Sequence, residues 1–283
     1  MNPSSVTVIG AGAVGSALAL ALRKQSYPID RIISRSRASA SALARRLRLK
    51  TWGTLDSFTL PKGGVLIFAL PDDALAGVAA QIAGASQSSI ASAATIVLHT
   101  SGALPSDVLS PLRDACGAHI GSFHPLMLFP KGRSSGREFT GCPVALEGDV
   151  KAIAGARRLA RALKARPFLV PAEKKVLYHI AAVFASNYFV TLLSAVEKTA
   201  GLSIDAPRED RMALFEPLIR QTLEAVLRSR TSGDALTGPI ARDDRETVRR
   251  HLEALKRLDD NDLLSLYIEL GLATAHLAKK AFE

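Results

Sequence analysis

Val6-Thr7-Val8-Ile9-Gly10-Ala11-Gly12-Ala13-Val14-Gly15-Ser16 is the stretch on which the reading of this chain turns. Its first four residues are β-branched and apolar, as in a buried strand, and Ser16 to Lys24 continues as an alanine- and leucine-rich helical pattern. Between them lie glycines at 10, 12 and 15. Each has a separate physical task in that context. Gly10 permits the tight turn, Gly12 leaves room for a pyrophosphate against the backbone, and Gly15 lets helix and strand pack closely. The free N–H groups and dipole of the helix N-terminus then favour phosphate, with Ala13 and Val14 in the first turn. A strand before and a helix after are what turn a bare glycine pattern into a dinucleotide signal.

Working outward, Ile32-Ile33 reads as the second strand of a βαβ unit. Where an NAD-preferring Rossmann site carries Asp or Glu, this chain has Ser34-Arg35-Ser36-Arg37. A guanidinium pairs with a 2′-phosphate, so the expected cofactor is NADP(H), with Arg35 the first choice and Arg37 the second. Val65 to Ala69 and Thr95 to Thr100 are further buried-strand runs, separated by a helical stretch from Asp73 to Ala83. The segments that follow them, Ala69-Leu70-Pro71-Asp72 and His99-Thr100-Ser101-Gly102, fall at strand C-termini, where the ligand crevice of a doubly wound sheet opens. Asp72 is as suited to capping the next helix as to touching a ligand.

Pro143 to Leu146 and Pro167 to Val170 are two more strand candidates flanking a helix from about Val150 to Ala165. After Pro171 strand signals vanish, and helical patterns run over Lys174 to Thr199, Arg208 to Arg228, Asp244 to Leu258 and Asp262 to Phe282. The expected fold is α/β, a doubly wound, mostly parallel Rossmann sheet over residues 1–171, followed by an all-α domain over 172–283.

Candidate chemistry lies in both parts. His99 and His124 sit beside strand ends, where an imidazole can orient a carbonyl or exchange a proton. On the helix opening the second part, Lys175, His179 and Ser186 fall within a stripe about 40° wide, with Asn187 to its side. These polar groups on an apolar helix point to a wet cleft facing the nicotinamide, or else to a helix seam with internally satisfied pairs. Thr237-Gly238-Pro239 enters another helical stretch and offers backbone N–H groups to a carboxylate, with Arg242 as counter-charge.

The composition excludes several classes. A net charge of +10 is scattered over helical stretches such as Arg157, Arg158, Arg161 and Lys164, without the interleaved aromatics of a nucleic-acid surface. Cys116 and Cys142 have neither zinc nor disulfide-framework spacing, and no metal site is expected. The start of the chain lacks a signal-peptide pattern, and no run of about 18 apolar residues reads as a membrane span. A soluble, cytoplasmic protein is the expectation.

The glycine loop, His-Thr-Ser-Gly-Ala at 99–103, Ser-Phe-His-Pro-Leu at 122–126, Tyr178-His179 with Ser186-Asn187, and Ala-Leu-Thr-Gly-Pro-Ile-Ala-Arg at 235–242 together resemble a bacterial two-domain family. Its members join a Rossmann-like domain to a helical domain of unassigned function. More distantly the chain resembles pyrroline-5-carboxylate reductases, 3-hydroxyacid and 6-phosphogluconate dehydrogenases and ketopantoate reductases. The resemblance implies a nicotinamide oxidoreductase, with catalytic groups on the helix of Lys175, His179, Ser186 and Asn187, and a homodimer formed through the helical domain. It makes reduction of a small anionic 2-oxo acid, ketopantoate among them, the leading expectation. Reduction of a cyclic imine and a non-catalytic NADP(H) sensor are the alternatives.

Overall fold

A computed structural model describes residues 5–58, 60–61, 63–85, 95–129, 132 and 135–281. The chain divides into two compact units, residues 1–185 and 186–283.

The first unit is built on one sheet of eight strands: β1 (Val6–Ile9), β2 (Ile29–Ile33), β3 (Trp52–Gly53), β4 (Gly64–Phe68), β5 (Thr95–His99), β6 (His119–Pro125), β7 (Pro143–Gly148) and β8 (Arg166–Leu169). Their spatial order is β3-β2-β1-β4-β5-β6-β7-β8. All neighbours are parallel except β6 and β7, which pair antiparallel. The chain thus reverses direction across the sheet between β1 and β4, and the crevice at that switch point is where a doubly wound sheet binds its ligand.

Alternation along the strands sorts the core into two layers. Val6, Val8, Val65, Ile67, Ile96 and Leu98 face α1 (Ala13–Lys24), α2 (Arg37–Leu47) and α5 (Val150–Ala162). Ile9, Leu66, Phe68, Val97 and Ile120 face α3 (Asp72–Ala85) and α4 (Ser110–Cys116). Continuous apolar strands are what a sheet covered on both faces requires. Small residues such as Ala17, Ala21, Ala152 and Ala156 let the helices lie close to it.

Two strands go beyond the sequence reading. β6 has no counterpart there, and His124 lies within this strand rather than beside one. The two-residue β3 extends the β2 edge.

The helix expected to run unbroken from Lys174 is instead α6 (Lys175–Val183), a π-helical turn over Phe184–Tyr188, and α7 (Phe189–Ser203). A π turn inserts an i→i+5 step, which rotates everything beyond it out of the 100° register. Ser186 and Asn187 lie inside that turn, so the 100° count begun at Lys175 does not carry to them. The polarity is also inverted from expectation. Lys175 is buried, whereas Val176, Leu177, Ile180 and Phe184 are exposed.

Within the helical run Ala172–Ser203 one 18-residue window reaches a mean hydropathy of 1.6, enough by length and composition alone to cross a membrane.

The second unit contains α7, α8 (Arg208–Arg228), α9 (Arg245–Lys256) and α10 (Asn261–Ala281). The α7 and α8 helices are joined by an ion pair between Glu197 and Arg208. Lys198 pairs with Asp260, just before α10. Among its described residues, the buried apolar side chains are Ala200, Leu263 and Ala278 alone.

Candidate active site

Backbone geometry explains each glycine of the loop between β1 and α1. Gly10 has φ +112°, and a Cβ there would stand 2.1 Å from the Ala69 carbonyl oxygen. A Cβ on Gly15 would stand 2.0 Å from the Gly10 carbonyl oxygen. A Cβ on Gly12 would meet nothing within 4 Å. Gly10 and Gly15 are thus demanded by the fold itself, while Gly12 is demanded by nothing in the chain and leaves a space beside the helix end.

Gly12 caps α1 without a side-chain bond, and the first turn, which includes Ala13 and Val14, carries no acidic residue. Unsatisfied N–H groups beside an open space fit a pyrophosphate. Ala69 and Leu70 pack against Gly10, and Pro71 follows at the mouth of the switch point.

At the end of β2, Ser34 donates its backbone N–H to Gly53. Ser36 caps α2 by accepting from the Ser39 N–H at 3.3 Å. The Arg37 guanidinium lies over the Trp52 ring, 5.6 Å from its centroid. Arg37 is thus engaged, while Arg35 at the same strand end is exposed.

The polar centre of the first unit lies at the end of β5. Lys175 is 2% exposed, donates from Nζ to the Ser101 carbonyl at 3.3 Å, and stands 3.7 Å from Glu147 Oε2. Glu147 in turn accepts from the Ser106 backbone N–H at 2.8 Å and from its hydroxyl at 2.5 Å. The Ser101 hydroxyl donates to Asp72 Oδ2 at 2.9 Å and accepts from the Ala103 and Leu104 N–H groups. Asp72 therefore ties α3 to this loop, beyond any capping role. Thr100 Oγ1 reaches the Phe68 carbonyl at 3.4 Å, fixing the loop to β4.

Three histidines surround the same loop. His99 Nδ1 accepts from the Ser101 N–H at 3.1 Å. His124 Nδ1 lies 2.7 Å from the Tyr178 hydroxyl. A Cβ on Gly102 would stand 2.7 Å from His179 Nδ1 and 2.8 Å from His124 Nε2, so both rings close directly on that glycine. His179 Nδ1 is buried and has no hydrogen-bond partner among the described residues.

Burial governs the charge states. It brings Lys175 down to about 8, against the opposing pull of Glu147 and Asp72. It brings His99 to about 3 and His124 to about 4, with Lys175 adding to both and His179 to the latter. Burial also pushes Tyr178 up to about 12. His99 and His124 are therefore neutral imidazoles, Tyr178 an un-ionised phenol, and Lys175 an ammonium able to give up its proton near neutral pH.

Lys175, His179, His124, His99 and Ser101 are thus brought together. Ser186 and Asn187 fall in the π turn and belong to the second unit, as do Thr237, Gly238 and Arg242. The Thr-Gly turn does not open a helix directly. A further turn follows, and α9 begins at Arg245, capped by Asp244, whose carboxylate accepts from the Thr247 backbone N–H at 3.0 Å. A separate apolar groove of about 830 Å³ lies in this unit, lined by Pro239, Ile240, Val248, Leu252, Tyr267 and Leu272. Among the described residues no group of three or more His, Cys, Asp or Glu could hold a metal ion.

Glu147, Ser106, Tyr178 and Trp52 are not among the site residues expected from sequence. A carboxylate closing the apolar run Val144-Ala145-Leu146 is the one visible signal for Glu147.

This arrangement is that of a Rossmann-type nucleotide-binding unit with an added β7–β8 pair. Residues 2–125 match the family described as a Rossmann-like domain, and residues 142–274 match the domain of unknown function DUF2520. The chain thus carries, one after the other, stretches similar to each of these two domains.

Its full length is similar to a solved Bacteroides fragilis protein provisionally described as an NADP oxidoreductase, at 25% identity and TM-score 0.77, covering 97% of this chain and 99% of that one. A Thermotoga maritima protein shares the fold at 23% identity and TM-score 0.72, over 98% and 100% of the two chains. A Pseudomonas imine reductase does so at 17% and 0.62, over the whole of both. No curated protein matches the chain in sequence.

Proposed function

We propose that this protein is an NADP(H)-dependent oxidoreductase that reduces the C=O group of a small substrate, with 2-oxo acids such as ketopantoate the first compounds to test. The observation that carries the reading is Lys175. Its ammonium is buried at the end of β5, on the edge of the sheet that also carries the glycine loop. The similarity to the B. fragilis protein supports the cofactor class.

Gly10, Gly12, Ala13, Val14 and Gly15 would hold the pyrophosphate, and Arg35 with Ser34 and Ser36 the 2′-phosphate. Ala69, Leu70, Pro71, His99, Thr100 and Ser101 line the strand ends along which the rest of the dinucleotide would lie. The cofactor supplies a hydride to the carbonyl carbon. Lys175 Nζ gives its proton to the oxygen as negative charge develops there, and regains one from solvent. His124 and His179, closing on Gly102, orient the carbonyl by hydrogen bonding. The chain's contribution is positioning and electrostatics.

A cyclic imine takes its proton at nitrogen from solvent before the hydride arrives, whereas a carbonyl needs one at oxygen as the hydride arrives, so the class of substrate turned over, read together with the loss in Lys175→Met, separates a carbonyl reductase from an imine reductase. The test is NADPH oxidation against 2-oxo acids, cyclic imines and a blank, with NADPH affinity measured in parallel. Carbonyl turnover that is lost in Lys175→Met supports the proposal. Turnover of imines alone replaces carbonyl reduction with imine reduction, and binding without turnover makes the protein a sensor.

Apolar exposure supports an assembly of two copies. Leu202, Leu214, Leu218, Leu223, Leu227 and Leu272 are exposed in a helical unit with almost no buried apolar side chains of its own. Surfaces of that extent on a soluble chain are covered by a partner. A homodimer through the helical unit would cover them, which light scattering of the purified protein tests directly.

A further inference from the structure

We infer that Glu147 is a positioning residue of the site: it holds the Lys175 ammonium in place and balances its charge, so that Lys175 donates a proton instead of anchoring an anion. The inference rests on the oxidoreductase reading for the proton's destination, but its geometry stands without it.

The buried pair is asymmetric. Glu147 is held on one side by both donors of Ser106, and it meets Lys175 on the other. Two hydrogen bonds from a 3-10 turn leave the carboxylate little freedom, so its remaining lone pairs define where the ammonium sits. The Lys175 proton bonded to Ser101 sets the second point of the fix.

The charge around Lys175 comes from four elements. Glu147 on β7 and Asp72 on α3 are negative, while His99 on β5 and His124 on β6 are neutral. An ammonium facing two carboxylates is already compensated, so a substrate carboxylate brought to it would be repelled as much as attracted. A buried ammonium without Glu147 would instead shed its proton, because burial disfavours the charged form. Glu147 therefore supports the role that needs the proton and opposes the role that needs the charge.

The test is the titration of Lys175 in the full-length protein labelled with [ε-13C]lysine, its resonance assigned by its loss in Lys175→Met. The wild-type midpoint is expected near 8. In Glu147→Gln it is expected to fall, with proton affinity reduced about tenfold or more, and the alkaline limb of turnover is expected to fall with it. Acetate, as a simple carboxylate probe, is expected to leave the wild-type resonance in place and to move that of Glu147→Gln. An unmoved midpoint in Glu147→Gln, or acetate binding at wild-type Lys175, would overturn the inference.

If Glu147→Gln does not fold, the double variant Glu147→Gln/Lys175→Met decides. Recovery of folding shows that the unpaired ammonium was the fault, and continued failure shows that Glu147 serves the Ser106 turn alone. Because the titration needs no substrate, a shifted midpoint in a protein that turns over nothing would sink the proposed reaction and leave Glu147's role intact.

Discussion

Replacing Gly12 by alanine should remove NADPH binding while leaving the fold untouched, and replacing Gly15 should do the reverse of that separation. Gly12 has φ −76°, open to alanine, and its Cβ would meet no atom within 4 Å. The substitution therefore costs the chain little, and reduced freedom of the unfolded state offsets part of that by about 0.4–1 kcal/mol. The same methyl would stand in the space offered to the pyrophosphate. In Gly15→Ala the new Cβ lies 2.0 Å from the Gly10 carbonyl oxygen, so backbone must move, at a cost of about 1–3 kcal/mol or more.

A ligand at a hundredfold excess over its Kd stabilises the wild type by about 2.7 kcal/mol. At about 2–4 °C per kcal/mol that is a rise in Tm of roughly 5–10 °C. Gly12→Ala should keep the wild-type Tm without cofactor and lose this rise. Gly15→Ala should melt early in either condition. Trp52 is the sole tryptophan and lies beneath Arg37, so NADPH quenching of its emission checks binding independently. A Gly12→Ala protein that still shows the NADPH shift, or that melts as early as Gly15→Ala, would refute the assignment of that space.

Three further outcomes follow from the same geometry. Arg35→Ala should weaken NADPH by about 10- to 100-fold, the worth of a charge-assisted contact of about 1.5–3 kcal/mol, and leave NADH unchanged; equal losses for both cofactors in calorimetry would remove Arg35 from the 2′-phosphate. Gly102→Ala would place a methyl 2.7 Å from His179 Nδ1 and 2.8 Å from His124 Nε2, so kcat should fall at least tenfold with NADPH affinity retained, and unaltered kinetics would show that the two imidazoles play no part. His99 and His124, at about 3 and about 4, bind fewer protons folded than unfolded once pH drops below the ordinary histidine value near 6.5. Stability to urea should then fall as pH goes from 6.5 through 4 toward 3, by about 1.4 kcal/mol at most for each unit of displacement, and His124→Asn should flatten part of that slope.

The parts of this design that are legible in the sequence are those that local backbone chemistry imposes. The glycine loop announces itself because a positive φ at Gly10 and a blocked Cβ at Gly15 admit no other residue, and the strand and helix beside it have opposite periodicities. The Arg35 and Arg37 region is legible by the same logic, as a missing carboxylate at a strand end. The strand β6 is not, because His119-Ile-Gly-Ser-Phe-His-Pro has little β-branched content and becomes a strand through its neighbours on both sides. The π turn at Phe184–Tyr188 leaves no mark in composition, yet it decides that Ser186 does not continue the Lys175 stripe. Glu147 stays hidden in the sequence because its partners, Ser106 and Lys175, are far away along the chain in both directions.

The sheet register explains why those distant residues converge. Ile9, Phe68, His99, Ser122 and Glu147 are consecutive partners across β1, β4, β5, β6 and β7, one row running from the residue before Gly10 to the carboxylate behind Lys175. Four strand spacings of about 4.8 Å put some 19 Å between its ends. The antiparallel reversal at β7 is what completes the row. Its return direction sets Glu147, near the end of its own strand, level with His99 at the end of β5, while β6 runs past both to carry His124 beyond them. With β7 parallel, the last residues of the strand would sit above the row beside His124 and Pro125, out of line with His99 and the turn at Ser106. The added strand pair therefore does more than widen the sheet: its antiparallel step places a buried carboxylate beside the buried lysine.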